Sequence, residues 1–358
     1  MSGAKIRWGI FGSGSIAQQF AWDMRFSRTS LLSGIASRSM ENAKRLADVH
    51  PGAKVFANYE ELATSDAVDA IYVATPNALH KEHCLIAIAA GKAVLCEKPF
   101  ATNSSDAREI VAAAKAANVF CMEAMWTRFI PMLAKARCQI RSGELGEIAH
   151  LNATLGFARA ERQGDPITDP ALGGGALNDL GCYGLSIAEY LLGPFEVVGG
   201  DLQRSESGSV RTATISLRHN TKRELNPLSA ITVSHATQLE NTLTISGTKA
   251  RLSLSAPFIQ ARDANFSSVT FSNPPKSPGS LKSRFVSSYS GQKLKKAIRT
   301  VFPPSRAISA SFRGGGLQFE IDEVARCLTG ELVESDIMPL RTTISIIEEL
   351  ERIDNFRK

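Results

Sequence analysis

A lysine, an aspartate and a tyrosine sit where they could do chemistry. Lys98 follows the short apolar run Ala93-Val94-Leu95-Cys96 and lies in Glu97-Lys98-Pro99. That run reads as a buried β-strand. In an open α/β sheet the carboxyl ends of strands face the ligand crevice, so a lysine there can polarise a substrate oxygen. The tripeptide alone fits a surface lysine before a proline turn equally well. A neighbouring strand end carries Thr75-Pro76-Asn77-Ala78-Leu79-His80. It brings His80 to the same edge, where the ring could meet substrate or simply bind backbone or cofactor. Further on, Gly173-Gly174-Gly175-Ala176-Leu177-Asn178-Asp179-Leu180-Gly181-Cys182-Tyr183 spaces Asp179 and Tyr183 to share one face of a beginning helix. Asp179 also fits a helix N-cap, a role that does not exclude chemistry. A tyrosine beside an ammonium has its phenolate favoured, which suits an acid/base for alcohol oxidation. No pair of histidines has metal-ligand spacing, so no metal is expected.

A glycine turn supplies the partner for such chemistry. The strand expected at 6–11 runs into Gly12-Ser13-Gly14-Ser15-Ile16-Ala17, a G-x-G-x-x-A pattern. Gly12 permits the tight turn, Gly14 lets backbone approach a pyrophosphate, and Ala17 allows close packing of helix on strand. The phosphates of a dinucleotide then rest on a helix N-terminus at Ser15 and Ile16. Thr75, Pro76, Asn77, His80, Glu97 and Lys98 would complete the cofactor site from neighbouring strand ends. An NAD-binding site needs an acid about 20 residues after the glycines. Ile35-Ala36-Ser37-Arg38-Ser39 has none there. Ser37 can instead donate to a 2′-phosphate and Arg38 can pair with it, which points to NADP.

These residues need elements to hold them. Over residues 5–125, β-branched runs at 6–11, 31–37, 55–57, 70–74, 93–96 and 119–123 alternate with helical stretches, the pattern of βαβ units on a parallel sheet. The clearest helix is 104–118, with Ser104 or Ser105 as its cap and Asn118 at its end. Beyond about 147, Thr/Ser-rich alternating stretches suit an antiparallel sheet with one covered face. Helices are expected at 181–192, 319–328 and 342–356. The organisation expected is an NADP-binding Rossmann domain at 1–125, an α+β substrate and oligomerisation domain with a large, mainly antiparallel open sheet at 126–340, and a C-terminal helix at 341–358 able to pack back on the first domain.

At 44% hydrophobic and 21% charged residues the chain has ordinary globular composition. The apolar runs are strand-sized, so no membrane span is expected. The N-terminus enters a strand too soon for a signal peptide, and the six cysteines form no C-x-x-C pair. Both features point to the cytoplasm. The net charge of +6 is local: Lys276, Lys282, Arg284, Lys293, Lys295, Lys296, Arg299 and Arg306 occur with no acid between 276 and 306. That segment, within a Pro/Ser/Lys-rich loop at 272–311 that holds a short helix near 292–300, lacks a nucleic-acid or membrane pattern.

Taken together, the glycine turn, T-P-N-x-x-H, E-K-P and G-G-G-x-x-x-D-x-G-x-Y resemble the glucose-fructose oxidoreductase and inositol dehydrogenase family over nearly the whole chain. Met122-Glu123-Ala124-Met125-Trp126-Thr127-Arg128-Phe129 and Tyr183, where many members have His, are similar to the branch of dimeric dihydrodiol and NADP-dependent D-xylose dehydrogenases. The resemblance implies an active site between the two domains. It gives Lys98 a contact with nicotinamide ribose and substrate, Tyr183 the acid/base role, and Asp179 the orienting of both substrate and Tyr183. It places Trp126, Arg128 and Phe157 in the pocket lining, although Trp126 and Phe157 also read as core aromatics. A cis Lys98-Pro99 bond, a sugar, polyol or diol substrate, and a homodimer or higher homo-oligomer joined through the open sheet are implied too. The basic insertion, Pro166 and Pro170 depart from the branch. A non-catalytic NADP-binding co-repressor is the alternative, but such a sensor need not keep Lys98, Asp179 and Tyr183 together.

Overall fold

The computed structural model describes residues 5–221, 225–269, 288–290, 292–293 and 305–355. Short apolar runs form the first sheet: β1 (Ile6–Phe11), β2 (Ser30–Ala36), β3 (Lys54–Phe56), β4 (Ala70–Val73), β5 (Ala93–Glu97) and β6 (Cys121–Ala124). All pair in parallel, in the order β3-β2-β1-β4-β5-β6. Helices α1 (Ser15–Asp23), α2 (Met40–Asp48), α3 (Tyr59–Thr64), α4 (His80–Ala89) and α5 (Ser104–Ala117) connect them. Strand order reverses between β1 and β4, which opens a crevice at their carboxyl ends. The cap of α5 is Asn103 rather than either serine, because its side chain accepts from the Asp106 N–H at 2.8 Å. Asn118 closes that helix in the left-handed conformation at φ 53°, as expected of an asparagine there.

After α6 (Pro131–Arg141) comes the second sheet, built of β7 (Ile148–Gly156), β8 (Phe195–Arg204), β9 (Val210–His219), β10 (Leu228–Ser234), β11 (Leu243–Gly247), β12 (Ala250–Leu254), β13 (Asp263–Ser268) and β14 (Ser305–Ser309). Its order is β14-β13-β12-β11-β7-β10-β9-β8. Only the β7–β10 pair is parallel. Alternation turns Leu151, Ala153 and Leu155 of β7, and Ala213, Ile215 and Leu217 of β9, to a buried face. Helix α7 (Cys182–Leu192) covers that face. It lies so close that a Cβ on Gly184 would stand 2.5 Å from Ile231 Cγ2 of β10. One apolar cluster runs from Trp8 and Tyr72 of the first sheet through Met125 and Ile130 to Leu151 and Ile231 of the second.

Helices α8 (Gln318–Thr329) and α9 (Leu340–Asp354) end the chain. α9 does return to the first sheet, where Leu340 and Ile347 join Ile110 and Val111 of α5 and Glu348 pairs with Arg108. The edge strand β14 corrects the reading of 272–311 as loop: Ser305–Ser309 pairs antiparallel with β13, and its polar, half-exposed residues give no alternation signal. Lys276, Lys282, Arg284, Lys295, Lys296 and Arg299 of the basic segment lie outside the described residues, as does nearly all of the helix expected at 292–300. Among the described residues no helix is long and apolar enough to cross a membrane.

Candidate active site

A cavity of about 660 Å³ opens at the carboxyl ends of β1, β4 and β5, and the second half of the chain closes it. Gly12, Gly14, Ser15, Ile16, Ser37, Arg38, Thr75, Pro76, Asn77, Glu97, Lys98, Asp179 and Tyr183 all line it. At its glycine-rich end Gly12 has φ +110°, and a Cβ there would meet the Ala74 carbonyl oxygen at 2.6 Å. A Cβ on Gly14 would meet nothing within 4 Å. Gly14 is also the N-cap of α1 and offers no side-chain cap. The first turn of α1 thus presents free N–H groups to an open cradle, the arrangement a pyrophosphate needs. Ser13 and Ser37 hydroxyls join at 2.8 Å and tie this turn to the end of β2. Arg38 projects exposed just beyond, with Asn42 and Tyr59 beside it on the cavity wall.

The chemistry-bearing residues meet at the other end. Lys98 Nζ donates to Asp179 Oδ1 at 2.6 Å and to the Asp179 carbonyl at 2.9 Å. The same ammonium stands 4.7 Å from the centroid of the Tyr183 ring. Trp126 Nε1–H donates to the Tyr183 hydroxyl at 3.0 Å. That leaves the hydroxyl's own hydrogen free for a partner in the cavity. Asp179 is not an N-cap: it lies in a π-helical turn, Leu177–Gly181, that leads into α7. Such turns recur at functional sites because they re-aim side chains within a helix. The Lys98-Pro99 peptide is cis, as the family resemblance implies.

Burial and partners set the charges. Burial opposes the Lys98 ammonium, but Asp179 outweighs it and holds the lysine well above its ordinary value. Burial likewise opposes the Asp179 carboxylate, and Lys98 with the His235 hydrogen bond more than compensates, so this acid stays below the usual carboxylate range. For Tyr183 the balance reverses. Burial lifts the phenol above its ordinary value, and the downward pull of Lys98 recovers only part of that. The expectation of a favoured phenolate is therefore corrected: with the residue only 7% exposed, burial outweighs the lysine and favours the neutral phenol.

Other expected residues go elsewhere. His80 is fully buried, with ring nitrogens 2.9 Å from the Pro99 and Thr75 carbonyl oxygens. Burial pushes its pKa down to about 4. A neutral ring has a single N–H to donate, so it bonds one of these two carbonyls, and it does not line the cavity. Arg128 is also turned away: it donates to Ser186 Oγ at 2.7 Å, the Ser186 carbonyl at 2.8 Å, the Ile337 carbonyl at 3.1 Å and Glu189 at 2.8 Å. A buried guanidinium needs that many acceptors. Trp126 does not line the cavity and meets it only through its bond to the Tyr183 hydroxyl, and half-buried Phe157 packs on the core outside the cavity wall. Pro166 does reach the cavity, with Asp165 and Ile167, whereas Pro170 does not.

His235 went unnoticed in the sequence. It follows β10, is fully buried, and binds Asp179 Oδ2 through Nε2 at 3.0 Å. No local pattern marks it, since only the packing of α7 on β10 brings the two together. Among the described residues no group of three His, Cys, Asp or Glu is arranged to hold a metal.

Residues 6–125 match the model of an oxidoreductase family with an NAD-binding Rossmann fold, and 133–253 match the GFO/IDH/MocA C-terminal domain. The chain is 31% identical over 357 residues to trans-1,2-dihydrobenzene-1,2-diol dehydrogenase of Bos taurus, which covers 97% of this chain and 96% of that protein. It is 30% identical to D-xylose 1-dehydrogenase (NADP(+)) of Hypocrea jecorina, with 97% and 90% covered. Its fold matches a 3-ketoreductase from Actinomadura kijaniata solved with NADP and TDP-benzene, at TM-score 0.77 and 22% identity over 98% and 97% of the two chains.

Proposed function

The chain belongs to the GFO/IDH/MocA oxidoreductase family, and from that membership we propose that it is an NADP(H)-dependent dehydrogenase acting on a CH–OH group of a sugar, polyol or vicinal diol, or on the matching carbonyl. The observation that carries this reading is the meeting of Lys98, Asp179 and Tyr183 in the wall of the cavity that also holds the glycine turn. NADP(H), when bound, accepts or supplies the hydride. Tyr183 takes the hydroxyl proton as the C–H bond breaks and the carbonyl forms, and returns it in the reverse direction. Lys98 polarises the substrate oxygen and lowers the cost of ionising Tyr183, while Asp179 fixes Lys98 in place. A non-catalytic sensor would have no use for this cluster.

The names of the relatives set the substrate panel. Purified protein with NADP⁺ should form NADPH on at least one of D-xylose, other pentoses, hexoses, inositols and trans-1,2-dihydrobenzene-1,2-diol. No turnover on any of them, together with no NADPH oxidation by the matching carbonyls, would contradict the assignment.

NADP preference rests on Ser37 and Arg38, where an NAD site would carry an acid. Arg38→Ala should weaken NADP(H) binding by about 1–3 kcal/mol, as loss of a charge-assisted phosphate contact does. NAD(H) binding should barely change. Equal losses for both dinucleotides in a fluorescence titration would remove the basis for the preference.

The proposed division keeps 1–125 for the cofactor, 126–340 for substrate and assembly, and 341–358 as the returning helix. A homodimer or larger homo-oligomer joined through the outer face of the second sheet belongs to the proposal, since Thr212, Thr214 and Ser216 line that face of β9. So does a cytoplasmic location: all six cysteines are free and five are buried, which suits a reducing compartment.

A further inference from the structure

We propose that His235 is a positioning residue for the reaction, holding the Asp179 carboxylate in the one orientation that keeps Lys98 over Tyr183. The inference rests on the Lys98 and Tyr183 roles just given. It starts from an uneven use of a buried imidazole. His235 is 0% exposed, yet its ring makes a single polar contact, Nε2 to Asp179 Oδ2 at 3.0 Å, and Nδ1 has no partner. Leaving a buried ring nitrogen unpaired is unfavourable, and an apolar side chain of similar volume would avoid it. The one bond retained must therefore serve something.

Asp179 explains what it serves. Its two carboxylate oxygens are divided, Oδ1 to Lys98 at 2.6 Å and Oδ2 to His235 at 3.0 Å. With both ends held, the carboxylate has no freedom to swing about its Cβ–Cγ bond, and Lys98 stays above the Tyr183 ring. A carboxylate only accepts, so His235 must carry a hydrogen on Nε2. The backbone pins the ring in turn: His235 N donates to the Arg211 carbonyl at 2.8 Å, and its carbonyl accepts from Arg159 N at 2.9 Å.

The test uses His235→Gln, His235→Asn and His235→Leu, with Tyr183→Phe in parallel, assayed with NADP⁺ on D-xylose and trans-1,2-dihydrobenzene-1,2-diol. A glutamine amide can occupy the Nε2 position, whereas an asparagine amide reaches only that of Nδ1. His235→Leu and His235→Asn should lose about 10–100-fold in kcat, the range that a small misplacement of a catalytic group costs. His235→Gln should recover to within a few-fold of wild type, and KM for NADP⁺ should be unchanged in all three. A leucine variant with wild-type kcat, or a glutamine variant no better than asparagine, overturns the proposal. Should the leucine variant not fold, the Gln/Asn contrast still decides. Nitrogen-15 NMR of labelled histidines adds a readout free of turnover: His235 must show Nε2 protonated, with its resonance shifted by Asp179→Asn. A bare Nε2 overturns the bond itself. Normal turnover in Tyr183→Phe would instead count against the reaction assignment and leave the bond standing.

Discussion

Lys98→Met should lower kcat by about 10³-fold or more, the combined loss of an oxygen-polarising cation and of the charge that eases ionisation of Tyr183. The ammonium lies 2.6 Å from Asp179 Oδ1 and 4.7 Å from the centre of the Tyr183 ring. Its removal strands a carboxylate whose side chain is only 18% exposed. That carboxylate then climbs back toward protonation, since burial alone favours the neutral acid. Breaking one side of a buried pair also destabilises the fold. Thermal midpoints with and without NADP⁺ should therefore accompany the kinetics, and kcat should be expressed per folded molecule. NADPH affinity should fall by no more than a lost nicotinamide-ribose contact costs, because the glycine turn at Gly12, Gly14 and Ser15 is untouched. A variant that keeps kcat within tenfold of wild type would show that no cation is required at this oxygen.

Tyr183→Phe should cost about 10²–10⁴-fold in kcat, the usual contribution of a positioned acid/base. The change deletes one oxygen and leaves the ring packed against Trp126 at 6.4 Å between centroids. Its side effect is small and local, in that Trp126 Nε1 loses its acceptor. Cofactor binding should survive. The double variant with Lys98→Met should be far less than multiplicatively worse than either single one, because residues acting as a unit lose their function together. If losses multiply, the two side chains work independently and the pairing is wrong. If Tyr183→Phe turns over normally, Lys98 becomes the remaining proton carrier, since His80 faces two backbone carbonyls and does not line the cavity.

Patterned parts of the molecule were readable from the residues, and parts set by distant partners were not. Short apolar runs give β1 to β6 within a residue or two, and β4, β5 and β6 are buried on both faces, which leaves few compositions open to them. The glycine turn carries its own geometry. Arg128 misled because a guanidinium near an aromatic run fits a pocket, while its actual acceptors, Ser186, Glu189 and Ile337, come from α7 and the approach to α9. His235 was invisible for the same reason: its role exists only where β10 meets the turn before α7. The protonation of Tyr183 also escaped, since a sequence shows the lysine that lowers a pKa but not the burial that raises it.

The central claim is that Tyr183 moves the substrate proton, and the pH dependence of kcat/KM in both directions tests it most directly. Oxidation needs the base form of Tyr183, so its rate should rise with pH across the alkaline range. Reduction needs the phenol, which burial keeps protonated, so its rate should stay level and fall only as the pH passes the raised pKa. In Tyr183→Phe both rates should be low and the alkaline rise in oxidation should vanish. An alkaline rise of the same slope in wild type and Tyr183→Phe would contradict the account.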